Sequence, residues 1–164
     1  MLVKYLSVFF TAMVPLIELR GALPIAYGIK ALNPEFHLLY AYILIALGNM
    51  LPVPIIYFFA RKVLIWGKDK PVIGKFFTFC LEKGEKGGKK LQEKAGRGLF
   101  LALLLFVGIP LPGTGAWTGT LAASILDMDF KSSILAVSLG VCLAGIIVSI
   151  LCALGLGAWV GIQA

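Results

Sequence analysis

Val14-Pro15-Leu16-Ile17-Glu18-Leu19-Arg20-Gly21-Ala22-Leu23-Pro24 and Val107-Gly108-Ile109-Pro110-Leu111-Pro112-Gly113-Thr114-Gly115-Ala116-Trp117 decide how this chain folds. Both are apolar stretches broken by proline and glycine. Aligned on Gly21-Ala22 and Gly115-Ala116, they occupy matching places in the two halves. Apolar segments interrupted at corresponding positions of two halves point to the binding site of a transporter.

The surrounding composition fixes the solvent. The chain is 60% hydrophobic and 14% charged, with mean hydropathy +0.96. A soluble domain is about 45–50% apolar and about 25% charged. The reading is an all-α integral membrane protein. Its 164 residues give room for roughly four apolar passes of about 20 residues and for no separate soluble catalytic domain. Lys4 precedes the first apolar run as in a signal peptide, but no small-x-small cleavage site follows, so the run is expected to stay.

Residues 38–60 form a 23-residue apolar helix with Tyr40, Tyr42 and Tyr57 toward its ends, as interfacial aromatics are placed. Pro52 and Pro54 should bend its second half. Residues 133–162 read as a second long helix. Gly145, Ser149, Ala153, Gly157 and Gly161 repeat along it at every fourth position. Such a stripe serves either packing within the chain or a homodimer face. Leu47-Gly48 in the first long helix corresponds to Leu139-Gly140 in the second.

Between the halves, residues 61–97 hold eleven Lys and Arg against four Asp and Glu, a balance of +7 that equals the whole chain's net charge. The positive-inside rule puts this loop in the cytoplasm. Val72, Ile73, Phe76, Phe77, Phe79 and Cys80 recur at roughly helical spacing, an interfacial amphipathic helix. Anionic lipid explains the basic charge without nucleic acid.

Two topologies fit the lengths. Gly98 to Val107 is ten residues, about 15 Å of helix and half a bilayer. Each broken segment is therefore a re-entrant hairpin of two half-helices, or else a kinked span. The hairpin is preferred. Each half then crosses once, the halves are inverted, and the hairpin tips face each other at the midplane. The expected domains are repeat one (1–60), a basic linker (61–97) and repeat two (98–164).

Glu18 and Arg20 stand in apolar sequence, where each ionisable group costs roughly 2.5–3.5 kcal/mol. Such groups pair, face a cavity and mark a pathway. A direct pair at i and i+2 needs irregular backbone, which Pro15 and Gly21 allow. The pair either closes the tip or supplies a proton-exchanging carboxylate beside an anion-binding guanidinium. Thr114 is an N-cap candidate for the half-helix after Gly113 and Gly115. The N–H groups there suit an anion, with Trp117 as a wall and Thr118 and Thr120 as hydroxyls. Asn49, in mid-helix, is expected to bond a broken backbone. Asp127 and Asp129 read as a solvated turn. His37, Cys80, Cys142 and Cys152 have no metal-ligand spacing, and no nucleophile–base set appears. No cofactor, metal or enzymatic activity is expected.

At Glu18-Leu19-Arg20-Gly21-Ala22-Leu23-Pro24 and Pro112-Gly113-Thr114-Gly115-Ala116-Trp117-Thr118-Gly119 the chain resembles the small multidrug export protein family of prokaryotic membrane proteins. More distantly it is similar to the DedA, or VTT-domain, superfamily, which pairs re-entrant hairpins with transmembrane helices and is implicated in moving lipids such as undecaprenyl phosphate. The resemblance implies a multi-pass protein of a prokaryotic cell membrane. It implies a small exporter, which the carboxylate at Glu18 would couple to protons, or alternatively a DedA-like flippase or scramblase. A non-transporting scaffold is the third reading. The expected partners are membrane lipid, a small-molecule or lipid substrate, protons and a second copy of the chain. The expected site is Glu18, Arg20, Asn49, Gly113, Thr114, Gly115, Trp117 and Thr118.

Overall fold

The computed structural model describes residues 1–69, 78, 98–111 and 113–155. The amphipathic helix expected from Val72 to Cys80 lies outside these residues, as do Pro112, Gly157 and Gly161. Every regular element among the described residues is an α-helix. In chain order they are α1 (Leu2–Met13), α2 (Glu18–Leu32), α3 (Leu38–Met50), α4 (Pro52–Lys68), α5 (Gly98–Gly108), α6 (Ala116–Ile125) and α7 (Phe130–Ala153). The order short helix, break, short helix, long helix therefore occurs twice.

Two helical stretches are long and apolar enough to cross a bilayer: Leu38–Ala60 with 23 residues and Phe130–Ala153 with 24. The first runs through α3 into α4. Leu51 alone separates them and keeps helical dihedrals; Pro52 and Pro54 have no N–H to give the hydrogen-bond ladder there. The second runs from Phe130 to Ala153 rather than over 133–162 as expected: it starts three residues earlier, and a turn at Leu154 and Gly155, the glycine at φ 76°, ends it. Asp129 caps it, its carboxylate accepting from the Ser132 N–H at 2.8 Å.

α1 and α2 fold back on each other. Lys4, at the start of α1, donates to Asn33, just past the end of α2. Tyr5 stacks on Phe36 with centroids 4.5 Å apart, and its hydroxyl accepts from the His37 N–H at 2.9 Å. The chain thus returns to where it began. The turn is tight: Leu16 has φ 72° and Glu18 φ 50°, a region non-glycine residues seldom enter. The second pair, α5 and α6, closes similarly. A Cβ on Gly119 of α6 would fall 2.4 Å from Val107 of α5.

Gly48 and Gly140 set how each long helix meets its own short one. Each is the eleventh residue of its helix, counting from Leu38 and from Phe130. A Cβ on Gly48 would lie 2.5 Å from the Phe9 carbonyl of α1; one on Gly140, 2.7 Å from Val107 and 2.8 Å from the Leu104 carbonyl of α5. Small residues allow this backbone approach where apolar burial gives helices little drive to associate. The two glycines thus hold equal places in their helices. The Gly-Ala alignment is off register: Gly21 is the fourth residue of α2, whereas Gly115 is the N-cap of α6.

The core is small-grained, with Ala12, Ala22, Ala41, Ala116 and Ala136 fully buried around Ile45 and Val137. Large apolar side chains such as Leu2, Phe10, Ile55, Phe59 and Ile146 face outward, as lipid as solvent requires. Hydroxyls on this exterior turn inward. Thr11 donates to the Ser7 carbonyl at 2.7 Å and Ser7 to the Lys4 carbonyl at 2.8 Å. The small-residue stripe on α7 begins as an intramolecular contact. Gly145 lies under Tyr42, whose hydroxyl a Cβ there would approach to 2.3 Å. That hydroxyl donates to the Cys142 carbonyl at 3.1 Å.

Candidate functional site

A helix leaves its first N–H and last C=O groups without internal partners. The break between α5 and α6 exposes both kinds. In water, solvent would take them. In hydrocarbon, irregular backbone persists only where protein or a cavity satisfies it. The chain meets this with the two ionisable residues of the other broken segment.

Arg20 takes the carbonyls. Nη1 donates to Leu111 at 2.6 Å and also to Thr114; Nη2 donates to Val107 at 3.2 Å and Ile109 at 3.3 Å. Glu18 takes the N–H groups. Ala116 N–H donates to Oε2 at 3.2 Å and Trp117 N–H to Oε1 at 2.9 Å. The cation sits at the C-terminal end of α5 and the anion at the N-terminal end of α6, the signs each helix dipole favours. Glu18 is 4% and Arg20 7% exposed, so both charges are desolvated and their bonds are of the strong, charge-assisted kind.

The expected direct Glu18–Arg20 pair is thereby replaced. Their hydrogen bonds go to the opposite tip, between 87 and 99 residues along the chain. The anion expected at the N–H groups of the Gly113–Thr118 loop is the chain's own Glu18 carboxylate. Thr114 is not the N-cap. Gly115 holds that place with no side chain to offer, and the Thr114 hydroxyl donates to Ile109 at 3.0 Å and Leu111 at 2.9 Å. A cap from a distant carboxylate leaves no local signature, so sequence spacing could not find it.

Glycine makes the cap possible. A Cβ on Gly115 would lie 2.0 Å from Glu18 Oε2, and its φ is +145°. Gly113 has φ +75° with open space around it; it serves the turn rather than the approach. Thr118 donates to the Gly115 carbonyl at 3.4 Å and Thr120 to the Ala116 carbonyl at 2.5 Å, which ties both hydroxyls to their own helix. The Trp117 indole N–H is buried with no hydrogen-bond partner among the described residues.

Asn49 departs from expectation most. It is 2% exposed, and its Oδ1 accepts no hydrogen bond among the described residues, broken backbone included. It lines a small cavity with Glu18, Arg20, Gly115 and Ala116. Six of the eight expected site residues thus touch one locus: Glu18, Arg20, Asn49, Thr114, Gly115 and Trp117. Gly113 and Thr118 flank it. Asp127 and Asp129 stand apart in the turn before α7. Among the described residues no group of His, Cys, Asp and Glu could hold a metal, and Cys142 and Cys152 are free thiols.

A family model described as "Putative small multi-drug export protein" matches residues 18–147, from Glu18 into α7. No curated protein and no solved structure matches the chain.

Proposed function

The chain belongs to the small multidrug export family, a family of export proteins and not of enzymes, and on that premise we propose that it is a small, proton-coupled membrane exporter whose site lies where the two broken segments meet. The proposed architecture is two inverted repeats, residues 1–60 and 98–164. Each is a re-entrant hairpin followed by a transmembrane helix, and the cytoplasmic basic segment 61–97 joins them. The return of α2 to the start of α1 at Lys4 and Asn33 supports the hairpin. A second copy of the chain and membrane lipid complete the proposed assembly.

One observation carries the reading: a buried carboxylate occupies the positive end of α6, across the interface between the two segments. Ionised, Glu18 locks the tips together. Protonated, it loses the charge that made those bonds strong, and the N–H groups of Ala116 and Trp117 become free for an anionic group of the substrate. Arg20 holds the α5 end throughout, so the tip keeps its shape while its occupant changes. Trp117 supplies an indole donor beside it.

The occupation of every one of these charges by backbone also favours a second reading, a scaffold in which Glu18 and Arg20 are structural. Proteoliposomes with an imposed pH gradient separate the two, with a fluorescent amphiphilic anion as one probe and an NBD-labelled anionic phospholipid as the other. The exporter moves the soluble probe only with the gradient, and Glu18→Gln abolishes that flux while leaving a folded protein. Gradient-independent movement of the labelled lipid marks a DedA-like scramblase. Full flux in folded Glu18→Gln and Arg20→Lys proteins would remove the proposed site.

A further inference from the structure

Beside ionised Glu18 the mid-helix asparagine leaves its acceptor unpaired among the described residues. Its carboxamide is almost fully buried, yet Oδ1 accepts nothing from the described residues. An unpartnered buried acceptor costs about 1–3 kcal/mol. It fronts the cavity that Glu18 also lines. The water-accessible part of that cavity is ≈ 10 Å³, about the volume one water needs.

A carboxylate is acceptor-only, and protonation gives it one O–H donor. The N–H groups of Ala116 and Trp117 suit the first form and cannot receive the second's donor. We propose that Asn49 Oδ1 is the acceptor for protonated Glu18, reached through the single water the cavity admits. This rests on the proton-exchange reading above and adds where the proton goes.

A proton from the aqueous phase enters the cavity water, which passes one of its own to a Glu18 Oε. An O–H bond forms, the carboxylate loses its charge, and the water is regenerated. The acid then points its donor toward α3 and away from α6. Arg20 is the other charged group on the cavity wall. α3 contributes Asn49, α5 Val107, α6 Ala116 and α7 Val141 and Ala144, none of them titratable. The switch is therefore a two-position carboxyl group: on α6 when charged, on α3 when neutral.

Infrared difference spectroscopy of the full chain in lipid tests it, with the acid carbonyl band assigned by its loss in Glu18→Gln. Asn49→Leu removes the acceptor. At the pH where the unaltered protein is half-protonated, its acid band should shrink about fivefold and move to the frequency of an unbonded acid. That is a tenfold shift in the protonation equilibrium, the worth of one buried hydrogen bond. Asn49→Ser keeps an acceptor and should retain most of the band. Asn49→Ala replaces the leucine variant should that one fail to insert. An acid band present but unaltered by loss of the acceptor overturns the Asn49 role alone. If no acid band disappears in Glu18→Gln, Glu18 does not titrate, and the proton-exchange reading falls with it.

Discussion

Glu18 and Arg20 act as detached helix caps, one for each exposed end of a broken helix pair. Arg20→Ala removes a donor from four carbonyls; those of Ile109 and Leu111 keep the Thr114 hydroxyl, and each of the others costs about 1–3 kcal/mol if it stays buried and unpaired. Arg20→Lys, a single ammonium in place of a planar fork, should recover part of the loss. Thermal unfolding in detergent gives the order: unaltered protein, then lysine, then alanine. Gly115→Ala is the sharper test. The new Cβ collides with Glu18 Oε2 at 2.0 Å, so it should evict the carboxylate and destabilise by several kcal/mol. Gly113→Ala, at positive φ but in open space, should cost about 1 kcal/mol. Equal losses would mean that the Glu18 cap carries no weight. Sequence alone singled out both charges, because an ionisable group in oil must have a purpose. It could not name their partners, since carbonyls and N–H groups are present at every residue.

Helix contacts are the next scale, and glycine pairs govern them. Gly48→Ala and Gly140→Ala each push a Cβ against a facing backbone carbonyl and should each cost about 1–3 kcal/mol. Gly28→Ala, in α2 with nothing within 4 Å, should stabilise by roughly 0.5–1 kcal/mol through helix propensity. A melt series on the three variants reads both signs. At the start of α7, Asp129→Ala should cost about 1 kcal/mol. The Ser132 N–H holds the Asp129 carboxyl below its ordinary value. Its contribution is therefore whole above the usual carboxylate range and lost as pH falls through the lowered value; in acid the variant and the parent should converge. The breaks between these elements were legible from proline, glycine and apolar runs, whereas the ends of α7 were not: it runs over Phe130–Ala153 rather than 133–162. The Gly48–Gly140 match was legible too, whereas the Gly-Ala alignment misled, because a shared dipeptide does not require a shared place in the turn.

For the whole molecule, the proposed hairpin has a direct consequence. Leu2 and Leu32, 71% and 84% exposed, lie at the two ends of one folded-back pair. In a background with the native cysteines replaced by serine, Leu2→Cys and Leu32→Cys should both react with an impermeant maleimide added from the side opposite the basic segment. Opposite accessibility would mean a kinked span. What the sequence determined by itself is the solvent, the helical class, the two long crossings and the two interruptions, because each follows from local composition and the demand that backbone be satisfied in oil. What only the tertiary structure decided is that the charges of one interruption cap the other, and that Asn49 lines their cavity with its Oδ1 unpartnered among the described residues. Those contacts join residues 87 to 99 positions apart. Only the folding-back of both halves brings them within hydrogen-bond reach.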